Sequence, residues 1–164
     1  PITHRLVSSA LESAQKKIEG FHFDARKHTL EYDTVLSFQR DIIYKRRRAM
    51  VEGDIEHVKS VFYELGDKTE LDKIIDEKLK TIEDGALWDT IRRIILYTVD
   101  TLWVEHIDTL EHTRQAVGLR AYGQREPLVE YKKEATYLFK EMEARLKEQV
   151  VSMVSGISDQ IQAK

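Results

Sequence analysis

A chain of 164 residues that is 41% apolar and 34% charged, with two prolines and seven glycines, can bury a real core without staples, and its mix suits long helices better than a β fold. It has no cysteine, which excludes disulfides, thiol nucleophiles and cysteine zinc sites and fits a reducing compartment, with cytoplasm the default. A formal net charge of −3 gives no chain-wide pull on nucleic acid or anionic lipid, and no apolar run approaches the ~20 residues of a membrane-spanning helix or forms a signal-peptide core.

Apolar periodicity punctuated by glycine predicts a succession of helices. The first covers about 3–19, carries Leu6, Ala10, Leu11, Ala14 and Ile18, and meets Gly20. Asp24 can cap a second that runs to about residue 52 with a core stripe of Leu30, Val35, Phe38, Ile42 and Ala49. At 1.5 Å per residue that rod is roughly 40 Å long, more than a compact domain this small requires. Two shorter helices follow. One has Ile55, Val58, Val61, Phe62 and Leu65 and ends at Gly66; the other has Leu71, Ile74, Ile75, Leu79 and Ile82, ends near Gly85, and finds a capping box in Thr69 and Asp72. Together they read as a small hairpin set apart from the rest.

From 87 to about 117, Trp88, Ile91, Ile95, Val99, Leu102, Ile107 and Leu110 keep helical spacing. They imply a rod of roughly 45 Å that Gly118 would end. Pro127 suits a first helical position, and Leu128, Tyr131, Ala135, Leu138, Met142, Leu146 and Val150 build a further long helix. The short connection makes these two rods antiparallel neighbours. Residues 158–164 read as a frayed, disordered tail.

Catalytic and metal chemistry finds little support. Asp108 and His112 are the best same-face pair for a metal, and two ligands do not make a site. Glu19 and His22 match one Glu-x-x-His element of a di-iron bundle, but Gly20 lies between them and no second copy exists. Gly66-Asp67-Lys68-Thr69 has the look of a phosphate-loop end without the glycine five residues earlier that such a loop needs. Lys45-Arg46-Arg47-Arg48 is the strongest basic run, able to touch phosphate but equally at home near a helix C-terminus. No serine or threonine is spaced to a base as a nucleophile would be.

The turn Gly118-Leu119-Arg120-Ala121-Tyr122-Gly123-Gln124-Arg125 stands out. Two bracketing glycines allow a sharp bend that exposes Leu119 and Tyr122 at the end of a stiff hairpin. A tyrosine there can hold many different extended chains through its apolar face and its hydroxyl. Equally, Leu119 can close the helix end and Tyr122 fold back onto its own helices.

The string Asp24-Ala25-Arg26-Lys27-His28-Thr29-Leu30-Glu31-Tyr32-Asp33, followed by Val35, Gln39-Arg40 and Ile43-Tyr44, resembles the scaffold-helix signature of the SecA family of bacterial preprotein translocase ATPases. Upstream, Ala14-Gln15-Lys16-Lys17-Ile18-Glu19 is similar to the stretch that precedes it. A second block, from Asp100-Thr101-Leu102-Trp103-Val104-Glu105-His106-Ile107-Asp108 through Leu119-Arg120-Ala121-Tyr122-Gly123-Gln124-Arg125-Glu126-Pro127 to Glu130-Tyr131-Lys132, resembles the family's two-helix finger.

The resemblance implies an all-α, elongated architecture: a long scaffold helix within 1–52, a short helical wing at 53–86, and a scaffold return with a long antiparallel two-helix finger at 87–157. It implies docking of nucleotide-binding domains on the scaffold, with Arg26, Glu31, Asp33, Gln39, Arg40 and Trp103 as candidate interdomain contacts. It also implies that the finger tip, Leu119, Arg120, Tyr122, Gln124 and Arg125, meets a SecY-type translocon and the preprotein, and that the region restrains ATP hydrolysis. The parent protein would sit peripherally on the cytoplasmic face of the inner membrane. ATP and magnesium would belong to motor domains that this sequence lacks, so the fragment is expected to be no enzyme by itself and to hold no cofactor. No nucleic acid is expected as a partner, and exposed docking surface would favour self-association.

Departures from the family pattern are Thr34 in place of a second aspartate, a middle segment shorter than the usual wing, and no C-terminal cysteine motif. The opening at Pro1 without methionine suggests a piece of a longer protein. Alternatives are a helical adaptor, for which changes at Tyr122 would matter little, and a nucleic-acid binder using Lys45 to Arg48, which would bind salt-sensitively.

Overall fold

The computed structural model describes residues 5–120 and 127–157. Within them the chain forms α1 (Arg5–Glu52), α2 (Ile55–Tyr63), α3 (Lys68–Lys78), α4 (Asp84–Arg120) and α5 (Pro127–Ser155), with no strand among the described residues. The fold is all-α and elongated. The 48 residues of α1 rise about 72 Å and the 37 of α4 about 55 Å at 1.5 Å per residue.

Three apolar clusters follow one another along a seam between α4 and α5. At the base, Leu87, Trp88, Ile91 and Ile95 pack with Val150 and Val154. Leu102 and Trp103 then meet Met142, and Leu110 and Val117 meet Tyr131 and Ala135. As the α4 numbers rise the α5 numbers fall, so the two rods are antiparallel as their short connection predicts. Residues on α4 recur every three or four positions and make a narrow stripe that interlocks with its partner. Pro127 is the first helical residue of α5, where its missing N–H costs nothing.

α1 lies against both rods. Met50 joins the basal cluster, Ile43 the middle one, and Tyr32, Val35 and Leu36 the far one. It therefore runs antiparallel to α4. The stripe it buries is Tyr32, Leu36, Gln39, Ile43 and Met50. The predicted stripe is right only in part: Val35 packs in the far cluster and Ile42 is half-buried, but Leu30 and Phe38 face solvent at 66% and 68% exposure.

Glycine punctuation misleads twice. Gly20 does not break a helix, because α1 runs straight through it and a Cβ there would meet nothing within 4 Å. An interior glycine costs a helix only about 1 kcal/mol, too little to stop it where no turn is imposed. Gly118 likewise falls inside α4.

Gly53 does mark a necessary turn. Its N–H donates to the Ala49 carbonyl at 2.8 Å, and a Cβ would stand 2.6 Å from both the Ala49 oxygen and the His57 ring. Asp54 then caps α2 by accepting from the His57 N–H at 2.9 Å. Asp67 caps α3 by accepting from Thr69 and Glu70 N–H at 2.9 and 3.2 Å, so the Thr69 and Asp72 box is not the device used. A side chain just before the first turn reaches the free N–H groups, and Asp67 holds that position.

The two short helices do not stand apart. Val58 and Phe62 of α2 and Leu71 and Ile75 of α3 belong to the basal cluster with Trp88 and Val154, because helices this short cannot bury their apolar faces on each other alone. Tyr63 links them further, its hydroxyl pushed up to about 12 by burial first and then by a hydrogen bond to Asp72.

Gly53→Ala should therefore lose roughly 1–3 kcal/mol in urea unfolding, the usual cost of forcing an atom into occupied space. Gly20→Ala should instead leave the unfolding midpoint unchanged or raised and slow amide exchange in the N-terminal half of α1. Equal effects at the two glycines would show that the local surroundings here do not govern them.

Candidate functional site

The candidate site is the seam where α1 crosses the hairpin, together with the faces that α1 leaves uncovered. Its centre is polar. Gln39 of α1 is 4% exposed and His106 of α4 is 4% exposed, between the middle and far apolar clusters. The Gln39 Nε2 donates to the Ala135 carbonyl of α5 at 3.0 Å, which turns its Oε1 toward His106 at 2.8 Å. Two acceptors cannot share that contact, so His106 Nε2 carries the proton and donates to Oε1. One side chain thus joins three helices.

The imidazole is held between Trp103 and Phe139, with ring centroids 5.6 and 5.7 Å away. Burial in that apolar sandwich pushes the His106 pKa below its ordinary value of 6.5. Trp103 is buried, and its Nε1–H finds no partner among the described residues.

A flank of ion pairs aligns the rods outside this core. Arg47 holds Asp100 through Nε at 2.8 Å and Nη2 at 3.1 Å, Arg46 holds Glu143, and Arg145 holds Glu105 at 2.9 Å. Toward the tip, Arg114 approaches Asp33 at 3.5 Å and covers the Tyr32 ring at 5.3 Å, while Tyr32 stacks on Tyr131 at 4.9 Å. Exposed pairs contribute about 0–1 kcal/mol each, so their effect is alignment more than stability. Arg48 pairs with Glu52 at 2.8 Å. Three cations of the basic run are accordingly engaged with carboxylates of the chain.

At the base Arg92 donates through Nη1 to the carbonyls of Met50 and Gly53, at 3.2 and 2.8 Å. A cation there satisfies carbonyls that a helix end leaves free and opposes the negative end of the α1 dipole.

The residues expected on an interdomain face divide in two. Arg26 and Asp33 are exposed and Glu31 and Arg40 half-buried, with Asp33 turned to Arg114. Gln39 and Trp103 point inward and are engaged within this chain. The side chains of the tip residues Leu119, Arg120, Tyr122, Gln124 and Arg125 lie outside the described residues. His106 and Arg92 were not singled out from the sequence. His106 leaves a trace there as a polar residue four positions from both Leu102 and Leu110, whereas nothing local marks Arg92.

α1 also has uncovered apolar faces. Phe23, Leu30 and Phe38 are 68%, 66% and 68% exposed; Phe23 and Leu30, seven apart, share the side opposite Gln39 and Ile43, and Phe38 lies on the flank between. Upstream of Tyr32 the packed face itself continues bare through Val7, Leu11, Ile18 and Phe21. Among the described residues no three potential metal ligands converge, and no helix is long and apolar enough to cross a membrane.

The family model described as SecA Wing and Scaffold domain matches residues 1–89 and 67–158. Protein translocase subunit SecA 1 of Clostridioides difficile strain 630 is 32% identical over 208 residues, covering 96% of this chain and 23% of that protein. Protein translocase subunit SecA of Dehalococcoides mccartyi strain BAV1 is 32% identical over 99% of this chain and 23% of its own length, and that of Synechococcus sp. strain JA-3-3Ab is 34% identical over 87% and 21%. This chain thus spans less than a quarter of the length of these relatives. The 208 aligned residues exceed its 164, so the Clostridioides protein carries residues within this span that have no counterpart here.

Because the folded state resists protonation of His106, the unfolded chain takes up that proton first. The associated stability is present above pH 6.5 and lost as pH falls through the unfolded value toward the lower folded one. The urea midpoint should drop between about pH 7.5 and about pH 5.5, and by less in His106→Gln, which keeps a donor but does not titrate. Equal slopes in the two proteins would contradict a neutral buried imidazole.

Proposed function

We propose that this chain, which belongs to the SecA wing and scaffold family, is the mechanical frame of a protein-export motor, carrying load from ATPase domains to a finger that engages substrate and channel. The observation behind this reading is that α1 carries more apolar surface than the hairpin covers. The face from Tyr32 to Met50 is taken up by the hairpin, while Phe23, Leu30 and Phe38 are exposed. Bare apolar side chains with polar neighbours mark a docking surface. Relatives more than four times as long contain the chain that would cover it.

In this reading the nucleotide-binding domains of the parent dock on the exposed Phe23, Leu30 and Phe38 and on the bare N-terminal part of α1. Arg26, Glu31, Asp33 and Arg40 then supply polar contacts at the rim, where charged groups set orientation more than affinity. The paired rods α4 and α5 form a stiff lever. Its tip, with Tyr122 as the adaptable aromatic contact, meets the preprotein and a SecY-type channel.

The frame does no chemistry of its own and takes no cofactor. ATP and magnesium belong to the docked domains, whose hydrolysis the frame restrains until substrate engages. The parent works from the cytoplasm at the membrane surface, without nucleic acid as a partner. With its docking faces bare, the isolated chain would also self-associate.

The test is ATP hydrolysis by a matching motor truncated before this region, with and without this chain added in trans. Added chain should bind and suppress hydrolysis, and Phe23→Ser with Phe38→Ser should weaken that binding by about tenfold or more, the cost of losing ~1.4 kcal/mol from central aromatic contacts. No binding and no suppression would remove the regulatory role and favour a free-standing helical adaptor.

A further inference from the structure

Hydrophobicity chooses the face of α1 that meets the hairpin, because the outward face along that stretch carries Thr34, Ser37, Asp41, Lys45 and Arg48, but it does not choose the register. Leu11, Ile18, Ala25, Tyr32 and Gln39 fall seven residues apart, and a slide of one heptad would place Tyr32 where Gln39 lies. Arg92 fastens the end of α1 through backbone carbonyls and reads no side chain of the helix. Gln39 is the buried polar side chain of α1 among the described residues, and its two partners occur together at one place, His106 Nε2 on α4 and the Ala135 carbonyl on α5.

We propose that Gln39 is a positioning residue that fixes the register of α1 on the α4–α5 hairpin, so that frame and finger move as one body. A slide would take Gln39 from the Ala135 carbonyl and leave buried His106 without its acceptor, a penalty that apolar residues at the same positions would not feel. A single buried polar residue sets register in coiled coils for the same reason. That force on α1 reaches the finger through this contact rests on the scaffold reading; the positioning itself does not.

The test uses spin labels at Ser37→Cys on α1 and His112→Cys on α4, both exposed positions in a chain without native cysteine. Pulsed electron resonance on the otherwise unaltered chain should give one narrow distance distribution. Gln39→Leu combined with His106→Leu removes both members of the pair, so neither is left buried without the other. It should keep a cooperative melt and add a second population displaced by up to about 10 Å, the rise of one heptad along a helix. A cooperative melt with the same single narrow peak would overturn the proposal. Should the double variant not fold, Gln39→Glu decides. Its carboxylate still accepts from His106 but cannot donate to the Ala135 carbonyl, so the peak should broaden, and an unchanged narrow peak overturns the proposal equally. In these readouts a frame that fails to bind motor domains would still show the positional effect, so the two readings fail separately.

Discussion

The antiparallel contact between α4 and α5 holds every other element in place. Leu87 to Ile95 against Val150 and Val154, Leu102 against Met142, and Leu110 against Ala135 form one interlocked seam, and isolated rods of this length would lose most of their helical stability without it. The grooves beside that seam receive α1 along its second half. The base receives α2 and α3, which are too short to persist alone. Even the turn at Gly53 depends on the hairpin, since Arg92 of α4 ties down the carbonyls where α1 ends.

What distinguishes this frame from an ordinary bundle is the mismatch in length. α1 runs well past the part that the hairpin covers and is bare from Val7 through Phe23. It also exposes Leu30 and Phe38 away from the hairpin. Burial of such surface is worth roughly 25 cal/mol per Å², a stabilisation this part of α1 forgoes while it stands in water. In the relatives this region is less than a quarter of the chain.

Polar contacts in the seam do a different job from the apolar ones. The ion pairs of Arg47, Arg145 and Arg114 lie in solvent and align the rods weakly. The Gln39 and His106 contact lies where water is excluded, so its loss leaves donors and acceptors that nothing else can satisfy. Apolar packing sets how strongly α1 adheres, and this one amide sets where.

The sequence by itself determined that the chain is helical, where α4 and α5 lie, and which of their faces meet. Trp88, Ile91, Ile95, Leu102 and Leu110 on one rod and Tyr131, Ala135, Met142 and Val150 on the other were legible, because a stripe between charged flanks has only one face to bury. Two ordered blocks of family signature were legible as well. The face of α1 was legible only in part: Val35 packs as expected, but exposed apolar side chains blur the edge of the stripe until a partner is seen, which is why Leu30 and Phe38 were misplaced and Gln39 was assigned outward. Gly20 and Gly53 look alike in the chain and differ only in the atoms packed around them. The pairing of Gln39 with His106, and of Arg92 with the end of α1, joins residues 67 and 42 or 39 positions apart. Only tertiary structure decides such pairings, because they depend on how three rods meet and not on any local preference.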